Sequence, residues 1–250
     1  MMARHLRRTY GPNLAERDLE AAVDRAFHSY ARYWMESFRL PGITADELLA
    51  GMDSEGLDHL RTAHALGRGV IMAMPHLGGW DYGGAWIGAL GYELTVVAEP
   101  VEPPELFEWF AGLRSALGMR VVALGPDATA GVLAALRRGG VVGLLCDRDI
   151  AGGGVSVEFL GECTTLPGGP ATLALRTGAP LLPCAVYFSG ERHLGVIGAP
   201  VDTSRRGTLR EDVTRITQLV ADELAGLIRR APDQWHLFQP NWPSDPGYGR

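Results

Sequence analysis

The sequence predicts an α/β fold, with a mostly parallel central sheet flanked by helices and an N-terminal helical section packed on it. Two observations carry this. From Gly69 onward, short apolar runs of strand length (Val70–Met74, Leu94–Ala98, Arg120–Leu124, Val141–Cys146) alternate with segments of helical period about ten residues long. That alternation is the signature of βαβ units and a parallel sheet. Before Gly69 the period is helical throughout. With no internal repeat and no low-complexity linker, the chain reads as one domain over 1–250, with the helical section at 1–68 and the α/β core at 69–250.

In order, Glu16–Leu40 has Ala22, Phe27, Tyr30, Trp34 and Phe38 at helical spacing, and Pro41-Gly42 ends it. Thr44-x-x-Glu47 is a capping box that opens a second helix. A third covers Gly56–Leu66. In the core, Tyr82–Leu90, Pro104–Leu117 and Asp127–Arg138 are helices that follow the first three strands. After Val141–Cys146 comes a charged, glycine-rich loop, Asp147–Gly154. Val155–Leu160 then alternates as a strand, with Val155, Val157 and Phe159 on one face. Gly168-Gly169-Pro170 opens a helix that runs to Thr177, since proline is tolerated in a first turn. Leu181–Phe188 and His193–Ile197 are strands, and Thr208–Arg230 is a long final helix.

Composition narrows the function classes. The 250 residues are 46% hydrophobic and 21% charged, with a net charge of -6. That balance argues against a general nucleic-acid binder. Every basic residue is arginine, a side chain suited to bidentate contact with phosphate or carboxylate. Cys146, Cys163 and Cys184 have neither disulfide nor zinc spacing, which fits a reducing cytosol. The start, MMARHLRRTYG, has no apolar run of the kind a secretory signal needs, and no uninterrupted apolar run reaches membrane-spanning length. The expectation is a protein that is soluble or sits on a membrane surface. There is no G-x-S-x-G elbow, no P-loop and no G-x-G-x-x-G after a strand, so a serine hydrolase, a kinase and a dinucleotide enzyme have no support.

The chemistry-bearing stretch is Gly69–Leu90, where Pro75 stops a buried strand and His76, Gly78-Gly79 and Asp81 follow. On one helix, His76 and Asp81 would lie about 140° apart and could not face one ligand. With His76 in the loop and Asp81 in the first helical turn, Asp81 can accept from one imidazole nitrogen and leave the other as a base. Asp81 can equally be a first-turn acid favoured by the helix dipole. Asp147-Arg148-Asp149 follows the carboxyl end of a strand, as His76 does, so the two clusters share one rim or are solvated loops. Glu158 is a partner for His76 or the solvent side of its strand. Arg114 is an anion-binding group or a surface cation. Gly168-Gly169 and Gly78-Gly79 supply backbone N–H groups able to hold an oxyanion, or plain turn chemistry.

Taken together in order, SYARYWMESFRLP, GVIMAMPHLGGWDYGGAW, LRSALGMRVV, GGVVGLLCDRD and VSVEFLGECTTLPGGPATLALRTGAPLLP resemble the lysophospholipid acyltransferase family. Within it they are similar to the branch of lipid A acyltransferases and phosphatidylinositol mannoside acyltransferases, from about Arg4 to the tail. The resemblance implies a glycerolipid acyltransferase-like fold. It also implies acyl-CoA-dependent transfer of a fatty acyl chain to a hydroxyl of a membrane glycolipid, a mannose of a phosphatidylinositol mannoside in the mannoside branch. It implies a peripheral protein on the cytoplasmic face of the plasma membrane, without metal or cofactor beyond the acyl-CoA donor. By position, His76 matches the catalytic base, Asp81 the acid of the His-x4-Asp motif and Glu158 the glutamate that pairs with the histidine. Arg114, Arg148 and Asp149 match polar positions of the substrate cleft. Family members usually carry a further N-terminal helical segment ahead of the point where this chain starts. The alternatives are an acyl-CoA thioesterase-like hydrolase, in which water takes the place of the sugar, and a catalytically idle lipid-binding protein of the membrane surface. Trp80, Tyr82 and Trp86 are the residues expected to line an acyl groove, or else to pack in the core.

Overall fold

The computed structural model describes every residue except Ala151 and Arg250; Ala151 belongs to the loop predicted over Asp147–Gly154. The helical section consists of α1 (Met2–Tyr10), α2 (Glu16–Arg39) and α3 (Ala45–Ala50), followed by β1 (Met52–Glu55) and α4 (Leu57–Ala65). The core then runs β2 (Val70–Met74), α5 (Trp80–Ala89), β3 (Leu94–Ala98), α6 (Pro104–Ala116), β4 (Arg120–Ala123), α7 (Ala128–Arg137) and β5 (Val141–Leu145). A hairpin of β6 (Val155–Phe159) and β7 (Glu162–Leu166) intervenes. The chain continues with α8 (Gly169–Thr177), β8 (Leu181–Ser189), β9 (Arg192–Ile197) and α9 (Leu209–Arg230).

One seven-stranded sheet has the order β1-β9-β8-β2-β5-β3-β4. All its pairings are parallel except β8 with β9. Alternate side chains of the strands feed two cores, as a two-residue period requires. Val70 and Met72 pack with Leu60 of α4 and Trp86 of α5 on one face. Ile71 and Ala73 pack with Leu136 of α7, Leu173 of α8 and Leu224 of α9 on the other. The β2 and β5 runs are nearly continuously apolar because both of their faces are covered. At Thr44 the capping box forms with both of its hydrogen bonds.

Three elements lay outside the sequence reading. Helix α1 packs Leu6 against Leu19 and Ala22 of α2. Strand β1 has only one buried residue, Met52, and takes its place by parallel pairing with β9. Strand β7 pairs antiparallel with β6, so Val155–Phe159 belongs to a separate two-stranded sheet and not to the parallel core.

Candidate active site

The parallel register pairs Met74 of β2 with Leu145 of β5. Two residues beyond each partner stand His76 and Asp147, brought side by side at the carboxyl ends of adjacent strands. His76 Nδ1 lies 2.7 Å from Asp147 Oδ1, and the His76 amide donates to Asp147 Oδ2 at 3.0 Å. The indole N–H of Trp235 donates to the same Oδ2 at 2.7 Å. Burial of this carboxylate works against its charge. The positive charge available on His76, the ring and indole donors and the His76 amide outweigh that and hold Asp147 below the usual carboxylate range. The acid therefore stays ionised and can accept only. Nδ1 of His76 must carry a hydrogen, and Nε2, which makes no hydrogen bond among the described residues, is left as the basic nitrogen.

This arrangement corrects two expectations. Asp81 does not orient His76. It sits in the first turn of α5, buried, with Oδ1 accepting from Arg114 Nε at 2.8 Å and Oδ2 accepting from Arg114 Nη2 at 3.2 Å and from the Tyr33 hydroxyl at 2.7 Å. Both oxygens are committed to the guanidinium and the phenol, because a planar fork fits a carboxylate in two-point contact. Burial opposes the Arg114 cation, but the charge and hydrogen bonds of Asp81 more than offset it, and its pKa is raised. The Tyr33 phenol is raised well above its ordinary value, by burial first and by the Asp81 charge second. Glu158 does not pair with His76 either. Its strand is bound through the backbone to Gln218 of α9, at 2.8 Å in each direction. The carboxylate is exposed and has no hydrogen-bond partner among the described residues.

Arg148, Asp149 and Gly78, the other residues singled out in the sequence, have partners of their own. Arg148 donates to Glu99 at 2.9 Å. Asp149 accepts from the amides of Gly152 and Gly154 and from the Thr165 hydroxyl, at 3.1, 2.8 and 3.0 Å, and so ties the loop back to β7. Gly78 has φ +57, and an added Cβ would lie 2.1 Å from the Val186 carbonyl oxygen, so only glycine fits. Its amide donates to Gln234 O at 2.9 Å and is not free for an oxyanion.

His76, Asp81, Arg114, Arg148 and Asp149 all border a cavity of about 540 Å³, within the range of small-molecule sites. Its walls are apolar and reach both faces of the sheet: Met74 and Val96 belong to the α5 side, Leu133 and Leu144 to the α7 side. Gly143 of β5 lies in the wall, where a Cβ would meet Val96 and Leu94 at 3.4 and 3.6 Å. Trp80 and Trp86 line the cavity as expected. Tyr82 does not: it stacks on His193 at 3.8 Å and donates to Leu48 O at 3.2 Å.

Sequence reasoning missed Asp147 as the partner of His76, and missed Trp235. The signal for Asp147 was present. Two apolar runs of equal length, Val70–Met74 and Val141–Leu145, are each followed at the same distance by His76 and Asp147. In-register parallel pairing of those runs selects Asp147 over Asp149 in the Asp-Arg-Asp cluster.

Comparison with known proteins gives the family. Residues 4–244 match the family described as bacterial lipid A biosynthesis acyltransferase. A phosphatidylinositol mannoside acyltransferase of Mycolicibacterium smegmatis is 37% identical over 258 residues, covering 97% of this chain and 83% of that protein. One of Mycobacterium tuberculosis is 41% identical over 225 residues, covering 88% of this chain and 70% of that protein. With an imidazole held by a buried carboxylate at the mouth of an apolar cavity, and a match that spans almost its whole length, the chain belongs to the bacterial lipid A biosynthesis acyltransferase family and is an acyltransferase.

Proposed function

We propose that the enzyme transfers a fatty acyl chain from acyl-CoA to a mannose hydroxyl of a phosphatidylinositol mannoside, with His76 as the general base. The observation that carries this reading is the His76–Asp147 pair facing the apolar cavity, in a chain whose relatives carry that acceptor in their names. A sugar hydroxyl is a poor nucleophile at neutral pH. His76 Nε2 takes its proton as the oxygen attacks the thioester carbonyl, help worth roughly a hundred- to ten-thousandfold. Asp147 stabilises the imidazolium that forms. The tetrahedral intermediate then collapses, the C–S bond breaks, and the imidazolium returns the proton to the departing thiolate. First-turn amides of α5 and the Gly168-Gly169 turn are the donors available to the oxyanion, and Gly169 borders the cavity. The acyl chain lies in the cavity.

The acceptor and the acyl chain belong to a lipid phase, and the same reading places the enzyme at the cytoplasmic face of the plasma membrane as a peripheral protein. Among the described residues no helix is long and apolar enough to cross a membrane. Around the cavity mouth, Trp34 and Phe110 continue outward into exposed Phe38 and Trp109, whose rings are 5.6 Å apart. Aromatic side chains of this kind suit a membrane–water interface.

The test is acyl transfer from radiolabelled palmitoyl-CoA to purified phosphatidylinositol mannosides presented in mixed micelles. Wild-type enzyme is expected to label the glycolipid, and a folded His76→Ala variant to lose that labelling. CoA release at the same rate without the glycolipid would replace transferase by thioesterase. Micelle binding with neither product would leave a lipid-binding protein.

A further inference from the structure

The segment that follows α9 reaches back across the sheet and touches both members of the pair. Gln234 O accepts from the Gly78 amide at 2.9 Å, and the His236 amide donates to His76 O at 2.7 Å. Between them, Trp235 makes an isolated antiparallel bridge with Leu77. The His76 loop is thus held at His76 and at Gly78, on either side of Leu77, by the backbone of the C-terminal segment. The side chains of that segment hold the acid. Trp235 Nε1–H donates to Asp147 Oδ2 at 2.7 Å, and Asn241 donates to the Asp147 backbone carbonyl at 2.9 Å. Trp235 is 1% exposed and Asp147 0%, so neither bond can be exchanged for water without opening the core. Packing alone could have been met by any large apolar side chain. What the indole adds is a donor aimed at the one oxygen of Asp147 that His76 Nδ1 does not use.

We propose that Trp235 is a positioning residue of the transfer reaction: its indole N–H fixes Asp147 so that Oδ1 faces His76 Nδ1, and thereby keeps Nε2 of His76 as the basic nitrogen turned to the cavity. This rests on the reading of His76 as the base. Without the indole donor Oδ2 keeps only the His76 amide at 3.0 Å, the carboxylate is held less firmly, and more of its charge falls on the oxygen shared with the His76 ring. Trp235 touches no substrate. It acts through Asp147 alone.

The experiment is a cycle of Trp235→Phe, Asp147→Asn and the double variant, assayed for transfer from palmitoyl-CoA, with the folded fraction read by circular dichroism. In Trp235→Phe, kcat is expected to fall about ten- to hundredfold with KM held, the order found for groups that orient a functional side chain from behind. The acid limb of its kcat/KM–pH profile is expected to move to higher pH, as more of the Asp147 charge falls on the imidazolium. In the Asp147→Asn background the same substitution is expected to cost nothing further, because its effect passes through the carboxylate. An unchanged kcat and acid limb in a folded Trp235→Phe protein, or full additivity in the double variant, would overturn the proposal. If Trp235→Phe does not fold, the Trp235 indole N–H resonance is followed by NMR in wild type and Asp147→Asn. A clear shift between the two is expected, and coincident resonances would overturn the proposal. That resonance does not depend on turnover, so its failure is separable from retained activity in His76→Ala, which would instead remove the role given to His76.

Discussion

Two buried carboxylates stand at the same site, Asp81 in the cavity wall and Asp147 behind His76, and do different work. Asp147 accepts from an imidazole, a group that can take up a proton and give it back in the course of a reaction. Asp81 accepts from a guanidinium and a phenol that keep theirs. The first arrangement can move a proton; the second can only fix charge and position. Asp81 in this way binds α5 to α6 and α2, three elements around the cavity mouth, and it aims Arg114 into that mouth. The acid of the His-x4-Asp motif is therefore a structural clamp in this protein, and the carboxylate that serves the histidine comes from the neighbouring strand.

Substitutions that keep shape and remove charge separate the two roles. Asp147→Asn should give the largest effect, a loss of about 10³–10⁴ in kcat from a wrongly oriented, unsupported imidazole, checked by steady-state acyl transfer. Asp81→Asn should lower stability by about 3–5 kcal/mol, because Arg114 remains largely buried without its counter-charge. Its loss of kcat should be smaller than that of Asp147→Asn. Calorimetry together with the same assay reads both.

His236 sharpens the contrast, as an imidazole packed beside the dyad with no carboxylate. Its Nε2 shares a hydrogen bond with Ser29, and its Nδ1 has no partner among the described residues. Burial first, and the neighbouring His76 second, push its pKa down to about 3. A histidine depressed in the folded state binds fewer protons than the unfolded chain between 6.5 and that value. Its contribution to stability is therefore complete above 6.5 and declines as pH falls, by roughly 1.4 kcal/mol per unit. His5, pushed down to about 4 by burial, adds the same trend. Urea denaturation at pH 7 and pH 5 should show the decline, with a shallower slope in His236→Gln.

The fold was largely legible because the parallel core announces itself locally. The first three apolar runs of strand length are each followed by a turn containing glycine or proline and then a helical period. Strand β6 was legible from its alternation, but its partner β7 and strand β1 were not, for a physical reason. Ser54, Glu55 and Glu162 are polar residues in short elements whose place is set by pairing with another strand, so no local pattern marks them. His76 and the shared rim could be read from strand ends. The partner of His76 depended on register, and Trp235 on a contact spanning 88 residues to Asp147. The equal spacing from the two strand ends marks Asp147 once β2 and β5 are paired, whereas nothing local marks Trp235.

Two smaller tests remain. Gly143→Leu places bulk in the cavity wall beside Val96 and Leu94. It should shift preference toward shorter acyl chains severalfold, as read in a competition among acyl-CoA donors. Glu158→Gln, on an exposed side chain without a partner, should change kcat/KM less than about twofold. A large loss there would return the glutamate to the reaction.

The most direct measurement is the kcat/KM–pH profile of Asp147→Asn set beside those of wild type and Asp81→Asn. The expected result is a plateau lowered by about three orders of magnitude in Asp147→Asn, with its acid limb moved to lower pH because no anion remains to support the imidazolium. The acid limb of Asp81→Asn should coincide with that of wild type. The reverse pattern, with the limb moved in Asp81→Asn and the Asp147→Asn profile matching wild type, would contradict the assignment of Asp147 as the partner of His76.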